Sequence, residues 1–273
     1  MPRTLNMVGA GKVGRVLGRL FAESGAFALQ DVLTRSHASA AGAIAFMGAG
    51  RACASLDQMR GADVWMLAVG DDQIAPACEL LAPRLAPGAV VFHCSGARSS
   101  DELAAASRAG ALTASVHPIR SFADPAHVAA HFSATFCGVE GDPDALALLT
   151  GAFEAIGARP VAINTAAKTV YHAASVFASN YVVTVLDAAL RSYQAAGISE
   201  EVARQLAAPL ARETMENVFR LGAQAALTGP IARGDMATVA RQQAALDAWD
   251  SHSGQLYRTL AASTVVLADR RKQ

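Results

Sequence analysis

The sequence predicts a doubly wound α/β sheet followed by an all-helical domain. Strands and helices alternate over the first 120 residues, which is the signature of parallel strands joined by crossover helices. The first strand, Leu5 to Val8, runs into Gly9-Ala10-Gly11-Lys12-Val13-Gly14 and then an apolar-periodic helix through Val16, Leu17, Leu20 and Phe21. From Asn164 onward the periodicity is helical, with no convincing strand. We place the boundary there, giving an α/β domain over residues 1–163 and a helical domain over residues 164–273.

Composition narrows the function classes. At 273 residues, 52% hydrophobic and 17% charged, the chain suits one large or two modest cores and is not composed like a disordered one. Formal net charge is +0, and the one basic block is the tail Arg270-Arg271-Lys272, read as a solvated terminus. Nucleic acid is therefore not an expected partner. Cys53, Cys78, Cys94 and Cys137 are scattered without a C-x-x-C pair, as suits a reducing compartment. The chain enters its first strand directly, with no apolar leader. The apolar run Ala173 to Leu190 contains Asn180 and Asp187, and is expected to be a buried core helix, not a membrane span. The expected setting is cytoplasmic, away from membranes.

In the first turn each glycine has its own task. Gly9 permits the sharp exit from the strand, Gly11 lets a pyrophosphate approach the backbone, and Gly14 lets the helix pack close. The helix N-terminus offers free N–H groups and a positive dipole end to phosphate. The stretch Gly9, Ala10, Gly11, Lys12, Val13 and Gly14 is thus a candidate dinucleotide site.

The second strand, Ala28 to Thr34, decides which dinucleotide. An NAD site places an acid at this strand's end, on the ribose 2′-OH. Here the end reads Thr34-Arg35-Ser36, and the nearest acid, Asp31, lies about 13 Å upstream of Arg35 along an extended strand. Arg35 suits a 2′-phosphate, with Thr34 and Ser36 as hydroxyl donors. The expected cofactor is NADP.

Residues 45–51 are small, Gly-rich and unassigned, and Ser55 starts a short helix. A strand over Ala62 to Val69 follows, and Val69 and Gly70 at its end join the candidate cofactor site, since ligands sit at carboxyl ends of parallel strands. Asp71 and Asp72 are expected to N-cap the helix reaching Leu81. A strand over Ala89 to His93 ends at Cys94-Ser95-Gly96-Ala97, and one over Ala111 to Val116 ends at His117-Pro118, with a helix over Asp101 to Ala109 between them. Ser121 to Phe132 reads as a loop with a short helix, in which His127 and His131 lack a third ligand, so no metal is expected. Strands over Ala134 to Val139 and Pro160 to Ile163 flank the helix Pro143 to Ile156.

The helical half opens with one long helix, Thr165 to Ala196, stopped by Gly197. A helix from Ser199 is expected to kink or restart at Pro209, and another spans Thr214 to Leu227. After Thr228-Gly229-Pro230 and a loop to Asp235, the last helices are Met236 to Leu246 and Ser251 to Ala268.

On the long helix His172, Ser175 and Ser179 fall within about 40° of Lys168. A polar stripe on an otherwise apolar helix marks a site, expected in the interdomain cleft. Transfer of a hydride at a carbon bearing oxygen or nitrogen needs a proton partner at the heteroatom. Lys168 is the first candidate if desolvation lowers its pKa, with His172, Ser95 and His117 positioning substrate. Cys94 reads as a small buried hydrophobe.

Taken together, Gly9 to Gly14, His93-Cys94-Ser95-Gly96-Ala97, Ser115-Val116-His117-Pro118 with Ser121-Phe122, Lys168 to Ala174 and Leu227 to Asp235 resemble one group. It is the NADP-dependent oxidoreductases that join a Rossmann-like domain to a helical C-terminal domain of unassigned function. Their wider relatives include 6-phosphogluconate dehydrogenase, β-hydroxyacid dehydrogenases, ketopantoate reductase and pyrroline-5-carboxylate reductase. The resemblance implies a homodimer through the helical domains and a small-molecule substrate that it does not specify. In the better-known relatives the lysine matched by Lys168 is followed four residues on by asparagine; here position 172 is histidine. The alternative reading is a non-catalytic, redox-sensing dinucleotide module.

Overall fold

The computed structural model describes residues 1–270, so Arg271 and Lys272 of the basic tail lie outside the described residues. The chain divides into two compact units, Met1–Ser179 and Asn180–Gln273.

The first unit is built on eight strands: β1 (Thr4–Val8), β2 (Ala28–Leu33), β3 (Arg51–Cys53), β4 (Val64–Leu67), β5 (Val90–His93), β6 (Leu112–Pro118), β7 (Phe136–Gly141) and β8 (Arg159–Ala162). They form one sheet in the order β3-β2-β1-β4-β5-β6-β7-β8. Every neighbouring pair is parallel except β6 with β7. The chain leaves β1 toward β2 and later returns to β4 on the other side, so a crevice opens between β1 and β4 at the carboxyl edge.

Six helices accompany the sheet: α1 (Lys12–Ser24), α2 (His37–Met47), α3 (Ile74–Leu81), α4 (Ala104–Arg108), α5 (Pro125–Ala130) and α6 (Pro143–Ala155). Side chains alternate between faces along each strand, and both faces are covered, so the central strands are apolar throughout. All four residues of β4 are buried. Met66 faces a core with Leu5, Met7, Phe21, Phe92 and Phe153. Trp65 and Leu67 face the other, with Ile74, Cys78 and Leu103.

A final helix, α7 (Lys168–Ala178), closes this unit after a 3₁₀ turn over Thr165–Ala167. The first part of its polar stripe turns inward: Lys168 is buried and His172 and Ser175 are half-buried, as is the flanking Tyr171, while Ser179, the last member of the stripe, is exposed, as is Val170.

The second unit holds α8 (Asn180–Ala195), α9 (Glu200–Leu221), α10 (Ala223–Ala226), α11 (Met236–Trp249) and α12 (Ser251–Arg270). Arg191 knits α8 to the α11–α12 corner through Asp250 and Ser253, braced by Asp187 one turn earlier on its own helix, and it lies over the Trp249 ring.

Several expectations are corrected here. The long helix is two, because the backbone leaves helical values at Ser179 (φ −127°, ψ −73°). The second of these, α8, has no buried residue, so the run Ala173 to Leu190 is not a buried core helix of this chain. Thr165–Ala195 is the stretch among the described residues that is long and apolar enough to cross a membrane. No restart occurs at Pro209, which sits inside a single helix. Residues 37–47, unassigned in part from the sequence, form a helix capped by Ser36, whose Oγ accepts from the Ser39 N–H. Asp71 and Asp72 make no capping hydrogen bond; Gly70 holds that position, and the segment begins as a 3₁₀ turn.

Candidate functional site

A groove of about 1120 Å³ lies at the β1/β4 crevice. Gly9, Ala10, Gly11 and Arg15 line one wall, Thr34, Arg35 and Ser39 a second, and Val69 and Gly70 a third. The glycine turn is built as its spacing implied. Gly9 has φ +87°, and a Cβ there would overlap the Ala68 carbonyl. Its N–H donates to the Leu33 carbonyl at 2.7 Å, fastening the turn to the end of β2. A Cβ on Gly14 would stand 2.8 Å from the Ala68 Cβ, so this glycine sets the approach of α1. Gly11, the N-cap of α1, faces open space. The N–H groups at this helix start and the vacant face of Gly11 fit a pyrophosphate.

Other expected contacts are engaged elsewhere. The Lys12 ammonium donates to the Ala123 carbonyl at 3.0 Å. Lys12, Val13, Gly14 and Ser36 do not line the groove. Ser36 caps α2, and the Thr34 hydroxyl donates to the Ser36 carbonyl. Asp31 is fully buried and accepts from Arg51 at 2.8 Å and Arg60 at 2.8 Å. Burial pushes this carboxyl up, but the hydrogen bonds from Arg60 and Arg51 prevail and hold it well below the ordinary range. Arg35 is exposed at the groove.

Farther along the same carboxyl edge, the ends of β5 and β6 meet α7. The His117 Nδ1 is 2.9 Å from the Tyr171 hydroxyl. The His117 and His172 rings lie edge to face, centroids 5.7 Å apart. Both pack on Gly96: a Cβ there would overlap the His172 ring and stand 2.7 Å from His117 Nε2. Gly138 makes the same room for Tyr171. Burial, then the charges on His172 and Lys168, push His117 down to about 4. Burial pushes Tyr171 up to about 12.

Ser95, named as a candidate from the sequence, works inside its own turn. Its Oγ accepts from the N–H groups of Ala97 and Arg98. Its N–H donates to His93 Nδ1 at 3.1 Å, which leaves His93 Nε2–H to donate to the Ser99 carbonyl at 2.9 Å. His93 is fully buried, and burial pushes it down to about 4. Burial likewise raises the Cys94 thiol far above the ordinary range.

Lys168 is 1% exposed, and its ammonium donates to Glu140 Oε1 at 2.7 Å and to Ser115 Oγ. Glu140 also accepts from the Ser100 N–H at 2.9 Å, the Ser100 hydroxyl at 2.7 Å and the Thr165 hydroxyl at 3.2 Å. Burial pushes the Lys168 ammonium down and Glu140 opposes it. Burial pushes Glu140 up, but Lys168 and Ser100 hold it below its ordinary value. Lys168 and His172 are thus parts of two different structures: a sealed ion pair and an open imidazole–phenol cluster.

Sequence reasoning missed Glu140, Ser115 and Ser100. A lone carboxylate within the apolar strand Phe136–Gly141 was the available signal, since buried charge demands a partner. It also missed Arg15 and Ser39 on the groove wall.

Removing the ammonium should strand Glu140 without its cation. Lys168→Met is expected to cost about 3 kcal/mol or more in urea unfolding, partly recovered by adding Glu140→Gln. A single variant within about 0.5 kcal/mol of wild type would overturn the assignment.

His93 and His117 give a separate pH dependence. Their folded values lie below the ordinary 6.5. The unfolded chain therefore takes up protons first, and stability present above pH 6.5 is lost as the pH falls toward 4. The unfolding free energy from urea titrations should drop between about pH 7.5 and about 5, by roughly 2 kcal/mol per histidine, and drop less in His93→Gln. A flat profile over that interval would contradict the burial argument.

The fold has known counterparts. Residues 3–118 match the family described as a Rossmann-like domain, and residues 135–264 match a domain of unknown function (DUF2520). No curated protein matches the chain. Protein TM1727 from Thermotoga maritima is 26% identical, with a TM-score of 0.72 and coverage of 99% of this chain and 100% of that one. A candidate NADP oxidoreductase from Bacteroides fragilis is 18% identical, with a TM-score of 0.79 over 97% of this chain and 98% of that one. Pyrroline carboxylate reductase from Plasmodium falciparum, solved with NADP bound, is 12% identical, with a TM-score of 0.60 over 97% and 98%. These likenesses show the fold, and the two family models between them match residues 3–118 as a Rossmann-like domain and residues 135–264 as DUF2520.

Proposed function

We propose that this protein is an NADP-dependent oxidoreductase of a small polar metabolite, working in the cytoplasm. The observation that carries the reading is one edge of one sheet. It holds a phosphate-ready glycine turn at β1 and, beyond β4, a cluster of ionisable rings at the ends of β5 and β6. Neighbouring strands stand about 4.8 Å apart, so the end of β6 is about 10 Å from that of β4, within the span of one extended dinucleotide.

The turn Gly9 to Gly14 with the start of α1 would hold the pyrophosphate, and Arg35 the ribose 2′-phosphate. Asp31, tied to two arginines, offers nothing to a 2′-hydroxyl, which favours NADP over NAD. When bound, the nicotinamide supplies or removes a hydride at the substrate carbon.

The chain's own groups handle the proton at the heteroatom. Tyr171 fixes His117 through Nδ1, leaving Nε2 toward Gly96 and His172. His117 is neutral near pH 7 and orients a substrate hydroxyl, carbonyl or imine. His172 gives or takes the proton. Lys168 acts through Glu140 and Ser115 as a positioning residue, anchoring α7 one turn before His172.

A screen of small carbonyl and imine compounds with NADPH should reveal turnover. His172→Asn should then lower kcat by about a hundredfold or more while leaving NADPH affinity unchanged. Full turnover in that variant would remove His172 from the chemistry, and equal binding of NADH and NADPH by wild type would remove the cofactor preference.

The partner we propose is a second copy of the chain, through the helical unit. There Val183, Leu210 and Phe219 expose 67%, 59% and 88% of their surface, and exposed apolar side chains of this size are what a partner surface covers. Sedimentation should give the mass of a dimer, shifted toward monomer by Leu210→Lys with Phe219→Lys; a monomeric wild type would refute it.

A further inference from the structure

One group on the groove wall has no task in the reading so far. Arg15 directly follows the third glycine of the turn and lines the same groove as Arg35. One arm is tied back, with Nη2 donating to the Ala10 carbonyl at 3.3 Å. Its Nε is buried without a hydrogen-bond partner. No carboxylate forms a salt bridge with it among the described residues. A guanidinium with an orphaned N–H at a groove wall is unfinished, because a buried donor without an acceptor costs free energy.

The helix geometry says which part of a ligand would complete it. Residues three and four apart share a helix face. Arg19, four residues on, lies over the Phe46 ring of α2 at 5.6 Å. Gly18, three residues on, abuts Met47 of α2. Arg15 therefore continues the α2-facing stripe of α1, one turn nearer the carboxyl edge. There α2 begins, and Thr34, Arg35 and Ser39 share the groove with it. The opposite wall, with Val69 and Gly70, belongs to β4. Asp72 is the acid lining the groove, and it follows β4, not β2.

We infer that Arg15 is a second guanidinium for the ribose 2′-phosphate, acting together with Arg35. Two planar forks suit a dianionic group with three acceptor oxygens, and the Arg15 arm not tied to Ala10 supplies a donor on the groove wall. The Ser39 side chain lies on the same wall. The inference rests on the NADP reading above and deepens it by naming a specificity residue that lies in the glycine turn's own helix. The rival occupant is the pyrophosphate, common to both dinucleotides.

Binding titrations separate these without any substrate. Wild type, Arg15→Met, Arg15→Lys and Arg35→Met are titrated with NADPH and NADH by nucleotide fluorescence, and with adenosine 2′-phosphate and adenosine 5′-phosphate by calorimetry. Arg15→Met should weaken NADPH and adenosine 2′-phosphate by about ten- to a hundredfold, as for a lost charge-assisted hydrogen bond. NADH and adenosine 5′-phosphate should be unchanged, and Arg15→Lys should recover part of the loss. Equal weakening of NADPH and NADH would assign Arg15 to the pyrophosphate and overturn the inference, as would unchanged NADPH affinity. If wild type itself fails to prefer NADPH, the cofactor reading fails first. Thermal melts check folding of Arg15→Met, and Arg15→Gln carries the same test should the methionine variant not fold.

Discussion

The ion pair between Lys168 and Glu140 is the constraint on which the proposed proton-handling half of the site depends. Both side chains are sealed, at 1% and 2% exposure. Two charges in such a place are costly to desolvate, and further hydrogen bonds offset that cost. Glu140 on β7 receives Ser100, Thr165 and Lys168, and the Lys168 ammonium spends a second donor on Ser115 on β6. The network joins the antiparallel strand, its neighbour, the loop after β5 and the entry to α7. Any sliding of α7 along the sheet would separate those charges, so the pair specifies the register of the helix more than it adds to stability. Tyr171 and His172, three and four residues on, inherit that register.

Close contacts then leave little tolerance around the rings. Gly96 admits His117 and His172 together only because it lacks a Cβ, and Gly138 does the same for Tyr171. With Nδ1 of His117 taken by the Tyr171 hydroxyl, its chemistry is directed to Nε2. Burial keeps that imidazole neutral. A ring so confined is a poor acid near neutrality and a good orienting group, whereas His172 sits half-buried on the first turns of α7 with no comparable tether. The division of labour proposed for them rests on surroundings, not on residue type.

How much of this was legible in the sequence differs by feature. The alternating strands, the glycine turn and the helical half were readable because each rests on local periodicity or on a backbone requirement at fixed spacing. The polar stripe on α7 was readable as well, and its inward face follows from it. What the sequence concealed was pairing across the sheet. Lys168 looks like a free base on a helix because Glu140, 28 residues earlier, lies on a strand whose antiparallel register with β6 cannot be read locally. Ser95 looks like a hydroxyl presented to a ligand, yet its lone pairs serve Ala97 and Arg98. The break at Ser179 was hidden for a different reason: Ala178, Ser179 and Asn180 carry no proline or glycine to mark it.

That break carries its own consequence for the apolar surface of α7 and α8. Read as one helix, Thr165–Ala195 satisfies the length and hydropathy of a membrane span. Read as two, its first segment begins at a buried lysine bound to the sheet by Glu140 and Ser115, a tether of four elements that a bilayer could not replace. The polar face of α7 is therefore its inner face, and the apolar face is left outward, the reverse of an ordinary surface helix. In α8 no residue is buried, and Tyr181, Val183 and Val185 leave apolar surface outward as well. An outward apolar face of this kind is what the proposed dimer would cover. The buried pair that fixes α7 on the sheet also fixes which of its faces is left outward, which ties the proposed site and the proposed dimer to a single cause.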